Sequence, residues 1–314
     1  MDTDQHSPSG AAPVRARLNE SAGSAPEEAP PPGVPPAGDD PLNLESISLP
    51  TPSSAAPHRP ATPDDLRVPW GWIDVLMFVV LGVVAGAIIT WGLGWIAVRF
   101  FGLRASEVFG ENMTTPKSIV ALASQAVWDI GAMLFLYLLL VTKSSAPFWP
   151  SIGWREVRPG MRPIRDSALQ FLAGGALLAL VVTFVGGFLS TKETLPIEEM
   201  LKARVSILLF GIMGVALAPF VEETIFRGFL YPVIARSLGV AAGIGITGTL
   251  FGLLHAVQLW GGWGQIALLI MVGIVLTSVR ARTGTAAASF FVHLGYNGLQ
   301  LAGYLVYMIG RGHH

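Results

Sequence analysis

Seven long apolar runs, nearly free of charge, constrain this chain more than any other feature. They lie at roughly Ile73–Val98, Ser118–Thr142, Ser167–Ser190, Val205–Ala235, Val240–Val257, Gln265–Val279 and Ala286–Ile309. Each is long enough, or nearly so, to cross a hydrocarbon core of about 30 Å at about 1.5 Å per residue. Only 13% of the residues are charged and the mean hydropathy is +0.55, too apolar for a water-exposed surface. The expected fold is therefore all-α: a polytopic transmembrane helix bundle of about seven to eight helices. The count is open by one because the sixth run is short and the fourth is long enough to form two pieces. Trp70, Trp72, Trp149, Trp154, Trp260 and Trp263 fall at the ends of runs, as an interfacial aromatic belt requires. The chain has no cysteine, which excludes disulfides, thiolate metal sites and a cysteine nucleophile.

Ahead of the first run, residues 1–66 carry ten Asp and Glu against three Lys and Arg, and fourteen of the 23 prolines. Such a stretch buries too little apolar area to offset its ordering entropy, so a disordered, acidic, Pro-rich tail is expected, a plain solvated tether. Three parts follow: the tail (1–66), the first three transmembrane helices with their loops (67–204), and the remaining helices (205–314). Lys143, Arg155, Arg158, Arg162 and Arg165 make the connection after the second run the most basic in the chain, and Arg280 and Arg282 separate the last two runs. By the positive-inside rule this is a multi-pass cell-membrane protein with a cytoplasmic N-terminus and, for seven crossings, an external C-terminus.

Ionisable groups in hydrocarbon cost several kcal/mol, so the few inside the runs are the candidates for chemistry: Asp129, Glu222, Glu223, Arg227, His255 and His293. Glu223 and Arg227 are four apart and stack on one helix face, an arrangement that packing alone would explain. It leaves Glu222 as a second carboxylate without a partner. Adjacent carboxylates beside one cation push their pKa values apart, which is how a general base is made next to an acid. Pro219, one turn earlier, removes a backbone hydrogen bond and is expected to kink the helix and admit water. A lone histidine on an apolar helix is usually a satisfied core residue; here two, His255 and His293, lie in the membrane part, and His293 shares a face with Asn297. If the fourth and fifth runs form a hairpin at Leu238–Gly239, Glu222 and His255 stand at one depth. His293 joins that level only if the segment Arg227–Leu238 projects by two or three turns. Asp129, beside Trp128, reads as a polar residue facing another helix or as support for the site.

Three ordered motifs, Glu222-Glu223-x-x-x-Arg227, Phe251-x-x-x-His255 and His293-x-x-x-Asn297, resemble those of the CPBP intramembrane endopeptidases, a family that includes CAAX prenyl proteases and bacteriocin-processing or immunity proteins. The resemblance covers about Val205–Gly310. It implies hydrolysis of peptide bonds in membrane-associated, prenylated or leader peptides, with the bilayer and a peptide or protein substrate as partners and no nucleic acid. Carried over by position, Glu222 activates the attacking water while Glu223 and Arg227 set its charge and orientation. His255 and His293 complete the water site, and Asn297 donates to the developing oxyanion.

Two chemistries fit the resemblance. One is zinc held by Glu222, His255 and His293. The other is a glutamic protease without cofactor or metal, which the paired carboxylates beside an arginine favour. Two other functions compete: a non-catalytic immunity or scaffold protein using the pocket to bind peptide, and a proton-coupled transporter, which would usually show internal repeats that are absent here.

Overall fold

Every described element is helical. The structure, a computed structural model, describes residues 63–189 and 204–311. Most of the expected disordered tail, the charges from Lys192 to Lys202 and the C-terminal histidines lie outside them. Among the described residues seven long helices stand where the seven runs were read: α1 Trp72–Phe101, α3 Thr115–Lys143, α5 Ile164–Phe188, α6 Val205–Leu238, α7 Val240–Leu254, α8 Trp263–Thr283 and α9 Ala286–Arg311. Two short helices, α2 Ala105–Phe109 and α4 Phe148–Ser151, sit in the connections after α1 and α3. The protein is a multi-pass membrane protein with an all-α bundle.

Five of the long helices, α1, α3, α5, α6 and α8, are long and apolar enough to span a membrane. The other two depart from the expectation for identifiable reasons. α7 has 15 residues and stops at His255, so at about 1.5 Å per residue it falls short of a full crossing. α9 is long, but His293, Asn297 and Gln300 dilute its hydropathy. Both helices carry candidate site residues, and polarity there competes with the apolar signal.

Local chemistry sets the helix ends. The Thr114 hydroxyl accepts from Lys117 N and Pro116 occupies the first turn of α3, the pattern of a capped start. Asp74 accepts from Gly71 N at 2.8 Å and from Lys143 Nζ at 2.7 Å, tying the start of α1 to the end of α3. Gly239, at φ 92°, breaks α6 from α7 and lets them fold back as a hairpin. The tightest packing uses small residues, as helix pairs in lipid require. A β-carbon on Gly248, Gly252 or Gly273 would collide across the α7–α8 contact, and one on Gly175 or Gly295 would strike a carbonyl between α5 and α9.

The solvated tether ends sooner than its composition suggested. Asp64–Leu66 form a 3₁₀ turn in which Asp65 and Leu66 are buried. Asp65 receives Arg280 Nη1 at 2.8 Å and Arg158 Nη2 at 2.9 Å, so two arginines offset the cost of burying it. Trp70 is likewise no interfacial anchor: it is buried and donates to Phe229 O at 2.9 Å. Trp72, Trp149, Trp260 and Trp263 keep about half or more of their surface exposed, as the belt expects, whereas Trp154 turns inward to donate to Thr224 Oγ1. Arg236 clamps the same strap, donating to Val68 O and Trp70 O at 2.8 Å each.

Candidate active site on the fourth long helix

The two glutamates sit on a single α-turn, Ala218–Glu223, between two π-helical segments of α6, Met213–Leu217 and Thr224–Leu230. Proline placement explains how these segments end. Their backbone bonds run i to i+5: Ala218 N–H to Met213 O in the first, Tyr231 N–H to Phe226 O in the second. The next pairs in each series would be Pro219 to Gly214 O and Pro232 to Arg227 O, and proline has no N–H. Each stranded carbonyl is taken by a side chain from another helix. Asn297 Nδ2 on α9 donates to Gly214 O at 2.7 Å, and Arg280 Nε on α8 donates to Arg227 O at 3.2 Å. Thus Pro219 does not simply kink the helix; it ends a π-turn and recruits α9. Segments of this kind re-aim side chains and cluster at functional sites.

Glu223 and Arg227 form the expected ion pair, Oε1 to Nη1 at 2.9 Å, with both side chains fully buried. Arg227 spends its remaining donors on α8, Nη2 to Gly273 O at 2.9 Å and Nε to Thr277 Oγ1 at 3.3 Å. Its guanidinium also lies over the Phe251 ring, 4.5 Å from the centroid. Arg280, three residues from the end of α8, lies level with Arg227, eleven from the end of α6, so the last turns of α6 overhang α8 by about two turns. That is the projection His293 needed, and the Asp65–Trp70 strap covers it.

His293 Nδ1 lies 3.0 Å from Glu223 Oε1. A carboxylate already paired with arginine accepts, so Nδ1 carries the proton and Nε2 presents a lone pair. His255 reaches the same state by another route. It caps α7 with φ −86° and ψ 0°, and its Nδ1 lies 2.9 Å from Phe251 O. A carbonyl can only accept, so here too Nε2 is the lone-pair nitrogen. The two Nε2 atoms approach Glu222 from both sides, His255 at 3.9 Å from Oε1 and His293 at 3.8 Å from Oε2. Glu222 is only partly buried, its side chain 20% exposed, and so open to a guest that Glu223 cannot meet. Its neighbours are therefore two imidazoles rather than none. Phe251 holds this geometry, with ring centroids 5.1 Å from His255 and 5.5 Å from His293.

Groups 3.8–3.9 Å apart suit one bridging water at about 2.8 Å from each. They suit zinc less well. Tetrahedral zinc with bonds of about 2.0–2.2 Å sets its donors about 3.3–3.5 Å apart. Among the described residues no three His, Asp or Glu side chains are arranged to hold a metal.

Asn297 joins the cluster through Gly214, which commits one of its amide hydrogens and leaves the second for other work. Asn297→Ala is expected to strand the Gly214 carbonyl and lower stability by about 1–3 kcal/mol, measured by denaturant titration in detergent. Asp129 is buried, accepts from Gln125 Nε2 at 2.8 Å through Oδ1, and lies within electrostatic reach of Glu222. Its Oδ2 has no hydrogen-bond partner among the described residues.

Residues to which the sequence assigned no role in the site complete it: Thr277 and Gly273 as partners of Arg227, Phe251 as the packing plate, and Arg280. Only Phe251 carried a signal, as the first residue of its motif.

Residues 204–299 match the type II CAAX prenyl endopeptidase Rce1-like family, a segment containing all six of Glu222, Glu223, Arg227, His255, His293 and Asn297. Over this segment, about a third of the chain, the sequence is similar to the CPBP intramembrane proteases. Two curated proteins are also similar. An uncharacterized 24.3 kDa protein of Escherichia coli is 26% identical over 213 residues, 65% of this chain and 87% of that protein. The 5-hydroxytryptamine receptor 5A of Rattus norvegicus is 32% identical over 112 residues; this chain spans 31% of the receptor's length. No solved structure matches the chain.

Proposed function

We propose that this protein is an intramembrane endopeptidase of glutamic type, cleaving membrane-associated peptides, with Glu222 as the general base. The observation that carries this reading is the position of Glu222 between two imidazole lone pairs, partly open and free of the ion pair that neutralises its neighbour. A water bridging Glu222 and an Nε2 atom gives one proton to the carboxylate while its oxygen attacks the peptide carbonyl carbon. The C–N bond then breaks as Glu222 returns that proton to the leaving nitrogen. The product acid loses the second water proton to an imidazole Nε2 and from there to solvent, so the residues end as they began.

Glu223, fixed by Arg227, keeps His293 in the tautomer that accepts from the water. The free amide hydrogen of Asn297 is the donor for the oxyanion, a role typically worth about 2.7–4 kcal/mol. The substrate class follows the family segment: prenylated or leader peptides at the membrane. The basic end of the bundle is assigned to the cytoplasm, with the N-terminus on that side.

The test is cleavage of a farnesylated peptide and of a hydrophobic leader peptide by the purified full chain in lipid nanodiscs, with metal content measured on the same sample. Turnover that survives chelation is expected. Stoichiometric zinc, with activity lost on chelation and restored by zinc, would replace the glutamic mechanism by a metal one. No turnover of any membrane peptide would leave a binding protein.

A further inference from the structure

Away from the glutamates, at the basic end of the bundle, the segment ahead of α1, the turn after α3, α4 and the last turn of α6 line a cavity of about 690 Å³. Its wall includes Arg67, Arg155 and Arg236 and no Asp or Glu. Carbonyl bonds from Arg236 to Val68 and Trp70 hold that guanidinium in place without neutralising it. Arg67 has an exposed ion pair with Asp64 at 3.3 Å, which is weak in water. Arg155 is the informative member. Its Nε is buried and has no hydrogen-bond partner among the described residues, and a buried donor left so costs about 1–3 kcal/mol.

Two acids lie within electrostatic reach of Arg155, and both are engaged: Asp65 is shared by Arg158 and Arg280, and Asp64 pairs with Arg67. The cavity therefore holds surplus positive charge and one donor in want of an acceptor. A phosphate matches both, since guanidinium binds phosphate oxygens in pairs.

The surroundings indicate where that phosphate comes from. Val68 and Pro147 give the same cavity apolar wall. Trp72 and Trp149, close in sequence to the lining residues Pro69 and Pro150, are each about half exposed at 49% and 47%, the kind of aromatic side chain that meets lipid headgroups. A cavity of this volume accommodates a glycerophosphate headgroup, and basic pockets between transmembrane helices are suited to anionic lipids. We propose that this cavity binds the phosphate-bearing headgroup of an anionic membrane lipid. The site is separate from the glutamate cluster and stands whether or not the protein hydrolyses peptides.

Native mass spectrometry of the full chain, exchanged into mixed phosphatidylglycerol and phosphatidylcholine, tests it. The parent is expected to retain phosphatidylglycerol with a several-fold preference. Arg155→Gln should lose that preference, while Arg165→Gln, an exposed arginine paired with Asp166, keeps it. Ala146→Trp, which fills the cavity without removing charge, should act like Arg155→Gln and serves if that variant does not fold. Equal retention of the two lipids by the parent, or an unchanged preference in the cavity variants, would overturn the proposal. Displacement of the lipid by millimolar inorganic phosphate would also overturn it, making a soluble phosphate the ligand.

Discussion

Arg227→Met is expected to destabilise the folded protein by about 3–5 kcal/mol, the cost of breaking a buried ion pair and leaving one charge unpaired. Three observations put this arginine at the high end. Its side chain and that of Glu223 are fully buried, so no water replaces the lost partner. Its fork also joins α6 to α8 through Gly273 O and Thr277 Oγ1, so the substitution removes an interhelical contact as well as a charge. Finally, Glu223 also holds His293 Nδ1 at 3.0 Å, so a carboxylate left without its arginine loosens the imidazole as well. Arg227→Lys should recover part of the charge term but not the fork, because an ammonium cannot serve three partners set at these angles. Unfolding in SDS titrations, followed by tryptophan fluorescence, reads the loss. A midpoint unchanged in Arg227→Met would mean that the pair contributes nothing to the fold.

Much of this site was legible from spacing. Four residues separate Glu223 from Arg227, and the same interval joins His293 to Asn297, so the ion pair and the shared face follow from helix geometry. Counting outward from Leu238–Gly239 placed Glu222 beside His255 because a hairpin fixes equal depth. The apolar runs located all seven long helices, since lipid leaves a backbone little choice but to satisfy itself by helix.

What escaped had no period to reveal it. Arg280 read as a loop charge obeying the positive-inside rule, yet it is buried and closes the Arg227 carbonyl that Pro232 strands. Trp70 and Asp65 read as belt and tail, because composition cannot tell a solvated segment from one that folds back onto a helix. Asn297 read as an oxyanion donor alone. Its bond to Gly214 depends on where a π-turn meets Pro219, a register that only the folded backbone defines.

Glu222→Gln tests the central claim most directly. The substitution keeps the shape of the side chain and removes its ability to take a proton from water. Among the described residues Glu222 makes no close ion pair, its nearest imidazole nitrogens standing at 3.8 and 3.9 Å, so the variant should fold and melt like the parent. With the purified chain in nanodiscs and a cleavable membrane peptide, turnover is expected to fall by about 10²–10⁴-fold, the usual contribution of a general base, at unchanged melting temperature. Cleavage by folded Glu222→Gln at the parent's rate would contradict the account, because no other carboxylate in the cluster is free of an arginine and open to water.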